Sequence, residues 1–153
     1  MNMKKVNAVG KKYSVAKRAY LAGFLDGDGA IMACIEKHSE KKFNFRIRIV
    51  VKITQSKKIN LEWLKNSLKI GLIRQNRSVV DWIIRDQQCV ESLLRLIIPY
   101  LRVKKKQAEI ALKILKIDIK SRKNLIKVAR LADSLSRLNV RSQNRRKNFA
   151  SMI

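Results

Sequence analysis

Hydrophobic positions along this chain of 153 residues change period several times, and each change marks a predicted element. Over residues 14–25, SVAKRAYLAGFL, the positions Ala16, Ala19, Tyr20, Gly23 and Phe24 recur at helical spacing, with Ser14 placed to cap the helix. That stripe is built largely from small side chains. Asp26-Gly27-Asp28-Gly29 follows, and its two acids and two glycines are expected to end the helix. Residues 43–53 switch to strict alternation, with Phe43, Phe45, Ile47, Ile49, Val51 and Ile53 on one side. The other side carries Asn44, Arg46, Arg48, Val50 and Lys52, so the predicted strand has one apolar and one cationic face. Residues 30–36 are its expected partner, joined through the polar stretch 37–42.

Helical spacing returns over residues 59–70, with Leu61, Leu64 and Leu68 in register. Segments 72–76 and 79–85 read as a second strand pair that turns at Arg77-Ser78. Val90, Leu93, Leu94, Ile97 and Ile98 then repeat at i, i+3, i+4, i+7 and i+8 until Pro99 stops them. Residues 104–117 and 123–138 continue as helices with basic outer faces. Trp63 and Trp82, set among apolar neighbours in a helix and a strand, read as core. The sum is an α+β fold of antiparallel hairpins with helices packed on one face. No linker or repeat divides the chain, so the expectation is a single domain over 1–153, with 1–12 flexible and 141–153 a basic C-terminal segment.

Composition changes this picture in one respect, which is charge. With 36 Lys+Arg against 11 Asp+Glu, the formal net charge is +25. It is not confined to an appendage, since residues 1–101 carry net +12 and residues 102–153 net +13. A hydrophobic fraction of 46% is too high for a disordered basic tail, so this is a folded domain that needs a polyanionic partner. Nucleic acid comes first and an anionic membrane surface second. No apolar run approaches the roughly 20 residues of a membrane span; a membrane surface would explain the charge and nothing else in the chain, and no membrane partner is expected. The basic start lacks a secretory apolar stretch, although a transit peptide would suit it. Cys34 and Cys89 lie far apart and His38 is the one histidine, so no zinc site is expected and both thiols read as reduced.

Against so many bases, two carboxylates at a helix end draw the eye to Asp26–Gly29. A negative helix C-terminus beside carboxylates is poor for the helix but attracts a divalent cation. Oxygen donors suit Mg²⁺ or Ca²⁺. On chemistry alone, a cation site and a plain acidic turn both remain open.

Leu21-Ala22-Gly23-Phe24-Leu25-Asp26-Gly27-Asp28-Gly29 resembles the signature of the LAGLIDADG homing endonucleases at six of nine positions, with Phe24, Leu25 and Gly27 as replacements. Thr54-Gln55 after the long strand, and Pro99 to Ala108, are similar to further segments of the family's single-motif members. The resemblance implies an αββαββα-type core with a four-stranded antiparallel saddle sheet. It implies a homodimer in which the two motif helices pack about a two-fold axis through Tyr20, Ala22, Gly23 and Asp26. Asp28 would then be the metal ligand, assisted by the Gly27 carbonyl, with Gln55 and Lys104 completing the catalytic set. Mg²⁺ is the implied cofactor, with Mn²⁺ or Ca²⁺ able to occupy the site. The family's further basic residue after the Gln falls here on Ile59, a departure for which Lys57 or Lys58 is the nearest replacement.

The same resemblance, together with strand alternation, places Met32, Cys34, Glu36, His38, Arg46, Arg48, Arg74, Asn76, Asp81 and Ile83 against the DNA major groove. Arg46 and Arg48 are the best guanine readers. Glu36 suits either a cytosine amino group or an ion pair with one of those arginines, and His38 suits a solvated loop or a base. Arg141, Arg145 and Arg146 are expected at phosphates. The implied activity is a site-specific, intron-encoded endonuclease that makes double-strand breaks with short 3′ overhangs in a long pseudo-palindromic DNA target, with no small-molecule substrate. An RNA maturase or a non-cleaving DNA-binding regulator is the alternative on the same scaffold. Abundant Lys, Ile and Asn suit an AT-rich gene, hence an organelle (chloroplast or mitochondrion) ahead of an archaeal or bacterial cytoplasm.

Overall fold

The computed structural model describes residues 13–139, 149, 150 and 153. Expectations for residues 1–12 and for Arg141, Arg145 and Arg146 lie outside the described residues. Helix α1 spans Val15–Asp28 and is capped by Ser14, whose hydroxyl accepts from Lys17 N at 3.3 Å. It runs three residues past its expected end. The glycines do not break it, because the Gly29 N–H still reaches the Leu25 carbonyl before the backbone turns extended. Gly29 itself is required there, since a Cβ would sit 2.7 Å from the Leu25 carbonyl oxygen.

Strand β1 (Gly29–Lys37) leaves α1 directly and pairs antiparallel with β2 (Phe45–Gln55), from Gly29 opposite Ile53 to Lys37 opposite Phe45. The strand β2 starts two residues later than alternation suggested. Asn44 takes a positive φ of 61° to close the connection, and the strand continues instead to Gln55. Helix α2 (Ile59–Leu68) leads into β3 (Leu72–Asn76) and β4 (Val79–Ile84). Helix α3 (Gln87–Ile97) is capped by Asp86, and Pro99 lies in the single 3₁₀ turn Ile98–Tyr100 that follows. Helices α4 (Lys105–Lys116) and α5 (Arg122–Asn139) complete the order.

The sheet runs β1-β2-β4-β3, all antiparallel, as expected. Its apolar face, with Ile31, Ile49, Val51, Ile53, Val80, Trp82 and Ile84, is buried beneath the helices in one core. Trp82 is fully buried, and its indole N–H donates to the Ile70 carbonyl at 3.1 Å, which satisfies its polar end. Exposed strand edges are occupied by side-chain amides. Gln87 exchanges both amide groups with the Ile49 backbone at 2.8 Å, and Asn139 donates to the Ile31 carbonyl at 2.6 Å. The opposite sheet face is left without a covering element among the described residues, and it carries the cationic side chains.

Candidate metal centre and nucleic-acid interface

Three elements meet where α1 ends. Asp28 is the last residue of α1, Gln55 the last of β2, and Lys104 the residue that precedes α4. Gln55 Nε2 donates to Asp28 Oδ2 at 2.7 Å, and Asn60 Nδ2 donates to Gln55 Oε1 at 3.2 Å. The amide of Gln55 is thereby oriented from behind. Lys104 Nζ donates to the Asp26 carbonyl at 2.5 Å, which sets its ammonium beside the last turn of α1. The Asp26 carboxylate accepts from Arg102 N and Lys104 N, both at 2.8 Å. Asp26, expected at the dimer interface, therefore uses its carboxylate to join α1 to the start of α4 within one chain.

Ile59 is 66% exposed, so no cation stands at the family's basic position. Lys58 pairs with Glu62 at 3.3 Å instead. Asn60, which sequence reasoning missed, is the side chain that the first turn of α2 sends to the centre. No group of three His, Cys, Asp or Glu side chains gathers anywhere among the described residues. One chain thus provides at this centre an exposed carboxylate at a helix C-terminus, which could serve as half of a hard-cation site. Mg²⁺ fits such a half-site, because it is commonly held by one or two carboxylates plus substrate phosphates and waters.

The exposed side of α1 carries Ala16, Ala19, Tyr20, Gly23 and Gly27. At Gly23 and Gly27 a Cβ would meet nothing within 4 Å, so this chain's own packing does not ask for glycine at either place. Ala22 was expected on that surface, but it is fully buried in the core, together with Leu21 and Leu25. The physical reason is angular: Ala22 and Gly23 are 100° apart round the helix. Trp63 corrects a second expectation. It is 39% exposed and packs not in the core but in a surface cluster with Tyr20 and Phe24, at ring distances of 5.4 and 6.4 Å.

Strand register puts nine of the ten expected base readers on the uncovered sheet face. Met32, Cys34 and Glu36 on β1 stand opposite Val50, Arg48 and Arg46 on β2. Lys52 and Thr54 face Ile83 and Asp81 on β4, and Leu72 and Arg74 of β3 flank those same two residues. Asn76 completes the row. His38 lies in the β1–β2 connection, where its Nδ1 is buried without a partner among the described residues.

Two acids on this face are engaged. Glu36 accepts from Arg46 at 2.5 Å, and that hydrogen bond, helped by the charges of Arg46, Arg48 and Arg85, holds its carboxyl below the ordinary range. Asp81 is only 3% exposed; it accepts from Thr54 Oγ1 at 2.5 Å and Asn76 Nδ2 at 3.3 Å, with Lys52 Nζ at 3.9 Å. It braces its neighbours and presents no oxygen outward, and Ile83 beside it is also buried. Arg85, absent from the sequence-based set, lines a concavity of about 420 Å³ with Arg46, Arg48 and Gln87. Continued β4 alternation from Asp81 through Ile83 was the signal for it.

A helix-backed antiparallel sheet with a cationic outer face, and a carboxylate-bearing helix end beside it, are the features that a sheet-platform nucleic-acid-binding protein would need. Residues 21–117 match the LAGLIDADG endonuclease family, and the chain belongs to that family. The DNA endonuclease I-CreI of Chlamydomonas reinhardtii is 34% identical over 106 residues, which is 68% of this chain and 65%, just under two thirds, of that relative. The DNA endonuclease I-CvuI of Chlorella vulgaris is 29% identical over 127 residues, 80% and 79% of the two chains. The crystal structure of I-CvuI with its target in the presence of 2 mM Ca aligns with a TM-score of 0.80 over 89% of each chain, at 27% identity. An archaeal intron-encoded relative, I-Vdi141I complexed with DNA, shares the fold at 19% identity, with a TM-score of 0.78 over 90% of this chain and 94% of that one.

Proposed function

We propose that the chain is a site-specific, metal-dependent DNA endonuclease that acts as a homodimer on a long duplex target. The observation that carries this reading is the convergence of Asp28, Gln55 and Lys104 at the end of α1, directly beside an exposed helix side whose glycines serve nothing within the chain. Packing two such helices together would bring two Asp28 carboxylates to one place and complete the half-site. The cationic sheet faces of the two copies would then lie along one duplex.

A bound divalent cation supplies Lewis-acid polarisation of the scissile phosphodiester and charge stabilisation at the leaving 3′ oxygen. The protein's residues do the rest. Gln55 fixes the rotamer of Asp28, so that one carboxylate oxygen is spent on orientation and the other faces outward. Lys104 adds a positive charge near the developing phosphate charge. Arg46, Arg48, Arg74, Asn76 and Arg85 read base edges or phosphates, while the dispersed positive charge supplies affinity. The basic stretch after 140 is assigned to phosphates on charge alone, and the whole of 1–153 acts as one domain. I-CvuI, studied with DNA in the presence of Mg and of Ca, supports a divalent cofactor, for which Mg²⁺ is the proposed ion. The proposed residence is an organelle whose intron encodes the chain.

The test begins with a duplex selected from a randomised pool for binding in Ca²⁺ and then moved to Mg²⁺. Double-strand cuts with 3′ overhangs support the proposal. Binding without cutting in Mg²⁺ or Mn²⁺, accompanied by promotion of intron splicing, overturns it in favour of a maturase.

A further inference from the structure

Lys104 is held at both ends by one residue. Its backbone N–H donates to Asp26 Oδ1 at 2.8 Å and its ammonium to the Asp26 carbonyl at 2.5 Å. Asp26 Oδ2 takes the Arg102 N–H at 2.8 Å, so the carboxylate grips the connection two residues upstream as well. Lys104 precedes α4 with φ −103° and ψ 15°, and no side chain caps the helix. Arg102 and Val103 are exposed.

We infer that Asp26 is a positioning residue: it sets the place of the Lys104 ammonium relative to Asp28, two residues further along α1. A contact needed only for folding would be satisfied by the two backbone N–H groups. The third contact, from the ammonium to the Asp26 main-chain carbonyl, fixes a flexible side chain at the last turn of α1, and the Asp26 carboxylate sets its place by holding the 102–104 backbone from which that side chain springs. A lysine left to itself samples many rotamers, and the loss of that freedom before substrate arrives lowers the barrier to the reactive arrangement. The inference rests on the endonuclease reading above and adds a role to a residue that the motif alone marks only as acidic.

A double-mutant cycle on the full chain tests it, with single-turnover cleavage of the selected duplex in Mg²⁺ as the rate and duplex affinity in Ca²⁺ as the binding control. Asp26→Asn keeps the shape but leaves one oxygen where two N–H groups need acceptors. The expected result is a cleavage rate about 10- to 100-fold lower with affinity within about threefold. In a Lys104→Met background, Asp26→Asn should cost less than about threefold more, because both changes act through one ammonium. Full multiplication of the two effects, or affinity and melting temperature falling in step with rate, overturns the inference in favour of a plain folding contact. Amide hydrogen exchange on the unmodified protein is the second measurement and needs no variant. Arg102 and Lys104 amides should exchange as slowly as those inside α4, and fast exchange overturns the geometry. Should the unmodified protein bind but not cut, the function proposed above fails, and the exchange result alone decides the placement of Lys104.

Discussion

Asp28 and Asp26 lie two residues apart, and the structure gives them different work. Asp28 turns one oxygen to Gln55 and is exposed, whereas the Asp26 carboxylate holds the 102–104 connection. Asp28→Asn keeps an oxygen for Gln55 and removes the anionic donor. It should lower cleavage by more than about 1,000-fold while duplex affinity in Ca²⁺ stays within about threefold, a pattern that separates chemistry from binding. Asp81 invites the opposite experiment. Its replacement by Ala removes the acceptor of the half-buried Thr54 hydroxyl and of the exposed Asn76 amide, both of which water can reach, so the cost should be that of ordinary hydrogen bonds, about 0.5–1.5 kcal/mol, read as a lower melting temperature. Base preference should shift as well, because Asn76 and Lys52 lose their brace. At Glu36 the ion pair is one-third exposed, so its contribution to stability is small. Its value lies in the direction it gives Arg46, and Glu36→Gln is expected to relax the preference at one base position, scored by sequencing the cleaved pool.

At the scale of elements, α1 and the sheet carry different predictions. Gly23→Leu introduces a side chain where this chain leaves open space, so the fold should be unharmed, with a helix-propensity gain of up to about 1 kcal/mol. Sedimentation should then show a folded monomer that no longer cuts; a Gly23→Leu dimer with full activity contradicts the proposed packing. Helix α3 predicts a pH effect. Burial pushes the Cys89 thiol up from 9.0 to about 11, with the Asp86 cap adding to it. Between those values the unfolded chain gives up a proton that the folded chain keeps, so stability falls as pH rises from 9 to 11. Thermal melts should show that fall, and Cys89→Ala should flatten it. Element order and sheet faces were legible in the sequence because period 2 and period 3.6 are local signals, and Arg46, Arg48 and Arg74 inherit their face from register. The end of α1 was not legible, since the bond from Gly29 N–H to the Leu25 carbonyl outlasts the two glycines. Ala22 was misplaced because a small residue betrays no preference between core and interface. Trp63 was legible in principle: it stands 200° from Leu61 round α2, off the buried face. The bracing of Asp81 depends on cross-strand partners, which one strand cannot disclose, and Asn60 reaches the centre only because the loop after β2 places the first turn of α2 there.

For the whole molecule, net charge of +25 and a sheet face without a cover predict affinity dominated by phosphates. With about 6–10 phosphate contacts for each complex, the logarithm of the binding constant should fall against the logarithm of salt with a slope of about −5 to −9. A slope near zero contradicts that mode. The described residues hold no helix long and apolar enough to cross a membrane, and the proposed duplex target would account for the charge. One chain brings one Asp28, so the account makes cutting of both strands a property of two chains together. Its central claim is tested most directly by cleavage of the selected duplex with purified protein in Mg²⁺, at concentrations that span dimer formation. The account predicts double-strand breaks that appear in step with the dimer and vanish in Asp28→Asn while binding persists. Cutting by the monomer, or cutting that survives in Asp28→Asn, would contradict it.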